Sequence, residues 1–307
     1  MSTISPYISA TGDPLAQLDD QPVQLVESTE AIACPLCHAW DRHPWGAENG
    51  FEAVKCLQCG LVYVTPRPKL GEISEANKIG EHRTAEGSLN VVYRRSARKI
   101  RHYRHIVKLM FGPELDAGVP LSWLDVGAGY GEMIEAVAGV LPQGSRIEGI
   151  EPMQPKVDRA RALNLPVSNT PLAAMERRFD VVSLINVFSH LPDFDAFLAD
   201  LRRVMNDGAV LFIETGNGGD LTTSADYPDR LYLPDHLVFA GVDHVSQFLQ
   251  RNGFDVSGVH SLRLDTLGWM AKNIAKRVMG RDAKLSVPLS SPFRTVFFKA
   301  RLQPRKN

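Results

Sequence analysis

Short apolar runs alternate with amphipathic helical patterns along most of the chain after residue 120. Apolar runs at 123–126, 147–150, 165–167, 179–185 and 209–215 predict five strands. Helical patterns lie between them at 133–138, 156–163 and 195–205. The run at 179–185 is almost continuously apolar, which is typical of a parallel strand that is buried on both faces. Strands that alternate with helices in this way predict a doubly wound α/β domain.

Three alternating glycines separate the first predicted strand from the first predicted helix. Gly127, Gly129 and Gly131 can adopt positive φ, and they leave the backbone open to a ligand because they have no Cβ. The second predicted strand leads into Glu151, whose carboxylate can accept hydrogen bonds from ribose hydroxyls. The third glycine comes one position too early for the dinucleotide fingerprint, and Glu132 at the helix start would repel a pyrophosphate. The pattern predicts a nucleoside cofactor without a pyrophosphate; the alternative is an α/β turn that binds no ligand.

The run Asp125-x-Gly127-x-Gly129-x-Gly131 resembles motif I of the class I S-adenosylmethionine (SAM)-dependent methyltransferases. This resemblance implies that the glycine turn contacts the methionine end of SAM and that Glu151 contacts its ribose. It also implies a seven-stranded Rossmann-like sheet that ends in an antiparallel hairpin, here 254–264 and 293–302 around a helical insertion at 267–279. The residues that match the family's cofactor contacts are Asp125, Gly127, Ala128, Gly129, Gly131, Glu151, Pro152, Asn169, Thr170 and Asn186.

All four cysteines lie in two C-x-x-C pairs near the N-terminus. Eighteen residues separate the pair Cys34 and Cys37 from the pair Cys56 and Cys59, which is the pattern of a four-cysteine zinc ribbon. A disulfide is disfavoured because the sequence shows no export signal and a cytosolic setting keeps thiols reduced. We predict a structural Zn²⁺ whose four thiolate ligands leave no coordination position for substrate or water.

The segment after the second cysteine pair extends the resemblance. The ribbon ends in G-L-V-Y-V-T-P-R-P over residues 60–68, and a helix and the SAM domain follow. This order is similar to bacterial small-molecule methyltransferases, among them the sugar C-methyltransferases of deoxysugar pathways. The resemblance implies that the acceptor is a sugar, a nucleotide-linked sugar or a natural-product intermediate, and a phosphorylated or carrier-bound acceptor is included in this class.

Two segments with histidines match positions beside the transferred methyl group in that family. Residues 186–193 read N-V-F-S-H-L-P-D, with Ser189 in place of the family's usual glutamate. Residues 232–239 read Y-L-P-D-H-L-V-F and resemble the family's E-H-L-x-x-F element. The resemblance implies a general base that is either His190 or His236 together with Asp235. The alternative is that these side chains only order their loops.

A polar stretch and a basic helical pattern lie between the ribbon and the first predicted strand. Residues 70–90 resemble a mobile connector or lid, and residues 89–111 predict a helix with seven lysines and arginines from Arg94 to Lys108. The basic face is either a solvated surface or a cradle for a phosphorylated or acidic substrate. A nucleic-acid footprint ranks third, because interleaved aromatic residues and a basic overall charge are both missing.

The length of 307 residues suits one large α/β domain with a smaller module. We predict a flexible arm at 1–30, the zinc ribbon at 31–68, a connector with the basic helix at 69–112 and the methyltransferase domain at 113–307. The formal net charge of −1 gives no overall attraction to nucleic acid. No leader peptide and no membrane-spanning run is visible, so we expect a cytoplasmic protein without a membrane partner.

Together these patterns predict a SAM-dependent methyltransferase that moves a methyl group to oxygen or carbon of a small molecule by in-line displacement. Three alternatives stay open. The first is an RNA methyltransferase whose zinc ribbon recognises RNA, and the second is a SAM-binding scaffold without activity. The third is an enzyme with the SAM fold and altered chemistry.

Overall fold

The computed structural model describes residues 28–85, 87–263, 267–280 and 290–304. The predicted flexible arm at 1–30 therefore lies almost entirely outside the described residues. Among the helices of the described part, none is both long enough and apolar enough to cross a membrane.

The N-terminal part forms two small antiparallel sheets next to the four cysteines. Its strands are β1 (Thr29–Glu30), β2 (Arg42–Glu48), β3 (Phe51–Cys56), β4 (Val62–Val64) and β5 (Arg67–Pro68). Strands β2 to β4 are neighbours in one sheet, and β1 pairs with β5. The residue after each cysteine pair is left-handed, with φ of +61° at His38 and +79° at Gly60. The two cysteine turns therefore have similar shapes, although only the second one uses glycine.

The segment between the ribbon and the large domain differs from the prediction. It forms helix α1 (Leu70–Ile79), a hairpin of β6 (Glu81–Thr84) and β7 (Gly87–Asn90), and helix α2 (Ala97–Asp116). The prediction of one helix over 89–111 is therefore wrong at its start. The helix begins after Ser96, whose hydroxyl accepts a hydrogen bond from the Lys99 amide. Serine is a strong helix N-cap, and the residues just before it are extended.

The large domain is built on seven strands. The remaining strands of the chain are β8 (Ser122–Val126), β9 (Arg146–Ile150), β10 (Val167–Ser168), β11 (Phe179–Ile185), β12 (Met205–Gly216), β13 (Val238–Phe239), β14 (Phe254–Arg263) and β15 (Arg294–Leu302). All of them except β13 form one sheet in the order β10-β9-β8-β11-β12-β15-β14. The first five strands are parallel, and β15 is antiparallel to β12 and β14. The predicted seven-stranded sheet with an antiparallel C-terminal hairpin is confirmed.

Helices cover both faces of this sheet. They are α2 together with α3 (Glu132–Ala138), α4 (Gln154–Arg161), α5 (Phe194–Arg203) and α6 (Val242–Arg251), and a further helix, α7 (Leu267–Val278), lies between β14 and β15 in the chain. Successive side chains of β8 point to opposite faces, as in any strand. The ring of Trp123 lies 4.9 Å from that of Phe111 of α2, whereas Leu124 packs in the cluster that contains α5 and α6. Because both faces are covered, the carboxyl ends of the strands form the edge where a ligand can bind.

The ribbon and the large domain share one loop. Strand β13 pairs antiparallel with β4, which extends the ribbon sheet to the order β13-β4-β3-β2. Cys34 and Tyr63 of the ribbon are buried in the same hydrophobic cluster as Leu124 and Phe248 of the large domain. The loop at 232–237, which precedes β13, is therefore held where the ribbon and the large domain meet.

Candidate cofactor and acceptor site

The predicted cofactor turn forms at the carboxyl end of β8. Gly127, Gly129 and Gly131 have φ of +73°, +54° and +78°, a region that favours glycine. The Gly127 amide donates to the Ile150 carbonyl at 2.8 Å, which ties the turn to the end of β9. A Cβ on Gly127 would lie 2.5 Å from Val187 Cγ2. The turn therefore needs its glycines both for its backbone conformation and for close packing.

Glu151 directly follows β9 and is 5% exposed. Its Oε2 accepts the Gly129 amide at 2.8 Å, and its Oε1 accepts the Met153 amide at 3.1 Å. A carboxylate has about four lone-pair sites, and two of them accept no hydrogen bond from the described residues, although Lys156 Nζ lies 3.9 Å from Oε1. The carboxylate is thus fixed beside the glycine turn with capacity for the two hydroxyls of a ribose.

Asp125 lies beneath the turn and is 1% exposed. Its Oδ1 accepts a hydrogen bond from Ser183 Oγ at 2.6 Å, and Ser183 Oγ accepts the Trp123 indole N–H at 2.9 Å. Burial raises the pKa of Asp125 to about 7, although the Ser183 hydrogen bond opposes this shift. In this structure the side chain joins β8 to β11, and a direct contact with the cofactor stays a prediction.

Tyr93 lies over the glycine turn. A Cβ on Gly129 would be 2.5 Å from the Tyr93 hydroxyl oxygen, and the Tyr93 ring meets that of Tyr130 edge-on at 5.5 Å. The Nζ atoms of Lys99 and Lys156 lie 4.1 and 5.3 Å from the centroid of the Tyr93 ring, which are cation–π distances. The sequence carries no signal for this contact, since a helix over 89–111 leaves the place of Tyr93 relative to the turn undefined.

The other predicted cofactor contacts divide between two places. Ala128 is buried within the turn, and Pro152 is exposed just beyond it. Asn169 and Thr170 follow β10, where the exposed Asn169 donates from its Nδ2 to a glutamine of α4 at 2.6 Å. Asn186 lies elsewhere, in the wall of a cavity beyond β11.

A cavity of about 230 Å³ opens beside the carboxyl ends of β11 and β12. Its walls combine aromatic rings with polar side chains, among them Asn186, Ser189, Glu214, Tyr227, Asp229, Tyr232, His236, Phe239 and Phe293. Asn186 and Tyr232 have φ of +57° and +58°, which is a strained backbone for residues other than glycine. Strand β11 is the neighbour of β8 in the sheet. The cavity is therefore the candidate acceptor site, at the same edge of the sheet as the glycine turn.

A cluster of histidines and an aspartate lies at one side of the cavity. Asp235 Oδ1 is 2.9 Å from His82 Nε2 and 3.2 Å from His190 Nδ1. His190 Nδ1 also lies 2.9 Å from the Asp235 carbonyl, and the rings of His190 and His236 are 4.8 Å apart. Of these four residues, His236 lines the cavity. The structure thus brings together His190, Asp235 and His236, and it adds His82 to them. The sequence does not mark His82 as a site residue, because it is a lone histidine in a polar segment.

Burial and charge give the members of this cluster different protonation states. Burial alone would lower the pKa of His190, but the charge and hydrogen bonds of Asp235 outweigh it and raise this pKa. Burial would raise the pKa of Asp235, but His190 and His82 hold it well below its ordinary value. Burial, together with the charge of His190, lowers the pKa of His236 to about 4. At neutral pH His236 is neutral, and its buried Nδ1 has no hydrogen-bond partner among the described residues.

Ligand atoms of His190, Asp235 and His236 lie within 4.8 Å of one another, a separation that a metal ion could span. The hydrogen bonds favour a different use of the cluster. The Asp235 carbonyl can only accept, so His190 Nδ1 must carry a proton to bond with it at 2.9 Å. A protonated Nδ1 cannot be a metal ligand, and the role of this cluster as a general base stays a prediction.

Glu214 is a second polar wall of the cavity, which the sequence analysis did not single out. Its Oε2 is buried without a hydrogen-bond partner among the described residues. Burial raises the pKa of Glu214 to about 7, although Lys99 and Tyr103 lower it. Near neutral pH the side chain can therefore either donate or accept a hydrogen bond inside the cavity. Its position at the carboxyl end of a predicted parallel strand is the feature of the sequence that could have identified it as a site residue.

The four cysteines form a separate cluster in which all Sγ atoms lie within 4.8 Å of one another. The Sγ atoms of Cys34 and Cys59 are 3.6 Å apart, and those of Cys37 and Cys56 are 3.5 Å apart. A disulfide would need about 2.05 Å. Four ligands at about 2.3 Å around a tetrahedral zinc ion separate the sulfurs by about 3.8 Å. The cysteine geometry therefore fits a zinc ion.

The folded protein is expected to lose stability below pH 6.5 because of His236. Its pKa falls from 6.5 in the unfolded chain to about 4 in the folded one, so the stabilisation is complete above pH 6.5 and disappears as the pH falls toward 4. Between pH 7.5 and 4.5, wild type should lose about 2 kcal/mol more unfolding free energy than His236→Gln. Denaturant titrations of both proteins at the two pH values measure the difference, and equal losses would contradict a buried neutral His236.

Comparison with known proteins agrees with the sheet order and the glycine turn, since both indicate a methyltransferase domain. Residues 93–271, more than half of the chain, match a family described as a methyltransferase domain. A ubiquinone biosynthesis O-methyltransferase of Methylobacterium sp. (strain 4-46) is 29% identical over 123 residues, 37% of this chain and 47% of that protein. A 37.1 kDa protein in transposon TN4556 of Streptomyces fradiae is 27% identical over 191 residues, 60% of this chain and 48% of that protein. The chain spans about half the length of the curated relatives it matches.

A solved structure supports the fold alone. A proposed sarcosine dimethylglycine methyltransferase from Galdieria sulphuraria superposes with a TM-score of 0.51 at 15% identity, covering 66% of this chain and 86% of that one. The sheet order and the glycine turn define the fold as that of the class I SAM-dependent methyltransferases. The chain belongs to the methyltransferase domain family that matches residues 93–271.

Proposed function

We propose that this protein transfers a methyl group from SAM to an oxygen or carbon atom of a small molecule in the cavity beside β11 and β12. The observation that carries the proposal is the position of this cavity relative to the glycine turn. The turn follows β8, and the cavity is lined by the ends of the next two strands in the sheet. Ligands of doubly wound proteins bind at this edge, so donor and acceptor would meet there.

The glycine turn and Glu151 would hold the cofactor. When bound, SAM supplies an electrophilic methyl group on a sulfonium. The free lone pairs of Glu151 suit the ribose hydroxyls, and the bare backbone at Gly129 suits the methionine end. We expect the Tyr93 ring to turn aside when the cofactor fills the space in front of Gly129, or to remain as a cover over it.

His236 is the group best placed to take a proton from the acceptor. The acceptor's electron pair forms the new bond to the methyl carbon while the carbon–sulfur bond breaks, and S-adenosylhomocysteine leaves. An acceptor hydroxyl would give its proton to the imidazole of His236, which lines the cavity and is neutral near pH 7. His190 is less suited to this task because its raised pKa favours the imidazolium. Alignment of donor and acceptor would contribute most of the rate enhancement.

The dimensions of the cavity favour a small acceptor over RNA. A volume of about 230 Å³ with aromatic walls suits a single ring or a short chain. The basic residues Arg98, Arg101 and Lys108 of α2 are exposed, which agrees with a solvated surface. One relative is named as an O-methyltransferase, and that name makes a hydroxyl the first acceptor group to test. We also propose that the cysteine cluster holds a structural Zn²⁺.

Methyl-labelled SAM tests the proposed function directly. The full-length protein is incubated with a cell extract that has been divided into a small-molecule fraction and an RNA fraction, and label in the small-molecule fraction is expected. Label in RNA alone would overturn the proposal in favour of an RNA methyltransferase. Absence of label from every fraction, when calorimetry shows that SAM binds, would overturn it in favour of a scaffold.

His236→Gln is expected to lower the rate of methyl transfer to a hydroxyl acceptor about 100-fold or more, because a general base contributes on this scale. The affinity for SAM should stay unchanged, since His236 lies on the acceptor side. Initial rates with the labelled fraction and calorimetry with SAM make the measurement. The control is His105→Gln, an exposed position of α2. A fully active His236→Gln beside an inactive His190→Gln would transfer the role of base to His190.

A further inference from the structure

We propose that His82, on the β6–β7 hairpin, is a positioning residue that holds Asp235 against His190 and thereby completes the acceptor site. The inference deepens the proposed function and rests on it for the role of the site. The family match begins at residue 93, so His82 lies outside the matched methyltransferase domain. The N-terminal part of the chain would therefore contribute to the site itself as well as to the fold.

The geometry around Asp235 gives His82 a defined task. The His82 side chain is 3% exposed and that of Asp235 is 12% exposed. Because Asp235 is ionised, its Oδ1 accepts the hydrogen bond, and His82 Nε2 donates it over 2.9 Å. The same oxygen lies 3.2 Å from His190 Nδ1. A buried carboxylate needs donors of this kind, since an unmet hydrogen bond to a buried charge is costly.

Four side chains act through charge or hydrogen bonding on the Asp235 carboxylate or on its partner His190. His82 approaches from β6, His190 approaches from the segment after β11, and His236 belongs to the same loop as Asp235. Lys156 of α4 opposes the positive charge on His190. Without His82, the Asp235 carboxylate would keep only His190 as a side-chain donor among the described residues, and it could rotate about the Cβ–Cγ bond.

The ribbon fixes the same loop at both of its ends. Glu48 at the end of β2 accepts the amides of Leu231 and Tyr232 at 2.8 and 3.0 Å. Asn49 donates from its Nδ2 to the Leu233 carbonyl at 2.7 Å, and β13 pairs with β4 beyond the loop. These bonds place the backbone of the loop. The His82 contact places the side chain on which the charge of His190 depends.

A buried histidine can also serve only to fill space. Variants that differ in how far their side-chain N–H extends from Cα distinguish this role from hydrogen bonding to Asp235. His82→Gln and His82→Asn both replace imidazole by an amide. Glutamine carries its amide nitrogen about as far from Cα as the imidazole Nε2, whereas asparagine is one methylene shorter. Only the glutamine variant should therefore restore the hydrogen bond to Asp235, although both variants leave a similar polar group in the hairpin.

The measurement is the proton NMR signal of His190 Nδ1 in the full-length protein, assigned by its loss in His190→Gln. This proton bonds to the Asp235 carbonyl at 2.9 Å and also faces the Asp235 carboxylate at 3.2 Å. A buried proton that faces a carboxylate in this way resonates at low field and exchanges slowly with water. We expect the signal in wild type and in His82→Gln. In His82→Asn it should disappear or exchange roughly fivefold faster or more, because the carboxylate is no longer fixed.

An unchanged signal in His82→Asn, or an equal loss in both variants, would overturn the proposal. If thermal melting shows that His82→Asn does not fold, His82→Leu takes its place with the same expected loss. The NMR signal needs no methyl acceptor, so this test can fail while methyl transfer is found, and it can succeed where methyl transfer is absent. With a labelled acceptor in hand, His82→Asn should lower kcat about tenfold at unchanged KM for SAM.

Discussion

Replacement of Cys34 and Cys37 by serine is expected to lower methyl transfer about 100-fold while the affinity for SAM changes less than about threefold. The physical reason is the division of the site between two sheets. The proposed zinc ligands would hold the ribbon, the ribbon strand β4 pairs with β13, and the loop with His236 precedes β13. The cofactor turn instead depends on β8 and β9. Zinc content, transfer rate and calorimetric SAM affinity of the double variant make the test.

Leu57→Ser is the matched control for this prediction. Leu57 lies between the two cysteines of the second pair and is 64% exposed, so its loss changes the turn but no sulfur ligand. This variant should keep zinc and activity. A double cysteine variant that lacks zinc but transfers methyl at the wild-type rate would contradict the coupling of the ribbon to the acceptor site. Loss of SAM binding in proportion to activity would show that the ribbon supports the whole domain instead.

Gly129→Leu is expected to weaken SAM binding about 100-fold or more, because a side chain there occupies the space that the cofactor's methionine end needs. A Cβ at this position already lies 2.5 Å from the Tyr93 hydroxyl oxygen. The φ of +54° also strains any residue with a Cβ, at a cost of about 1–2 kcal/mol in folding. Calorimetry with SAM measures the loss of binding, and denaturant titration measures the strain separately.

Gly118→Leu separates strain from obstruction. Gly118 has φ of +68°, and a Cβ there would meet nothing within 4 Å. Gly118→Leu should therefore lose stability through backbone strain alone, whereas Gly129→Leu adds the contact with Tyr93, and Gly118→Leu should bind SAM as wild type does. Wild-type affinity in a folded Gly129→Leu protein would place the cofactor away from the glycine turn.

The hydrophobic pattern of the sequence predicted an element correctly where that element is buried along its whole length. The strand predicted at 179–185 coincides with β11, because a parallel strand covered on both faces is apolar at almost every position. The helix predicted over 89–111 is wrong at its start, because apolar residues with helical spacing also occur before the true N-cap, Ser96. Pairing of β7 with β6 depends on contacts that an amphipathic pattern does not encode. Ser96, three residues before Lys99, is a preferred helix N-cap and marks where the helix begins.

The candidate site shows the same division between local and distant information. The glycine turn and Glu151 were predictable because each lies next to a strand end in sequence. His190 lies 45 residues before Asp235 and 46 residues before His236 in sequence, so the sequence offered the two histidines as alternatives, whereas the fold brings them together. His82 and Tyr93 come from a segment whose course depends on tertiary packing, and no motif marks either of them.

A crystal structure of the complex with S-adenosylhomocysteine is the most direct test of the central claim. We expect ribose hydroxyls within hydrogen-bond distance of Glu151, the amino-acid end along Gly127 to Gly131, and the thioether sulfur facing the cavity that His236 lines. Tyr93 would have moved from its contact with Gly129 or would cover the ligand. A complex in which Tyr93 still fills that space and the nucleoside lies elsewhere would contradict the account.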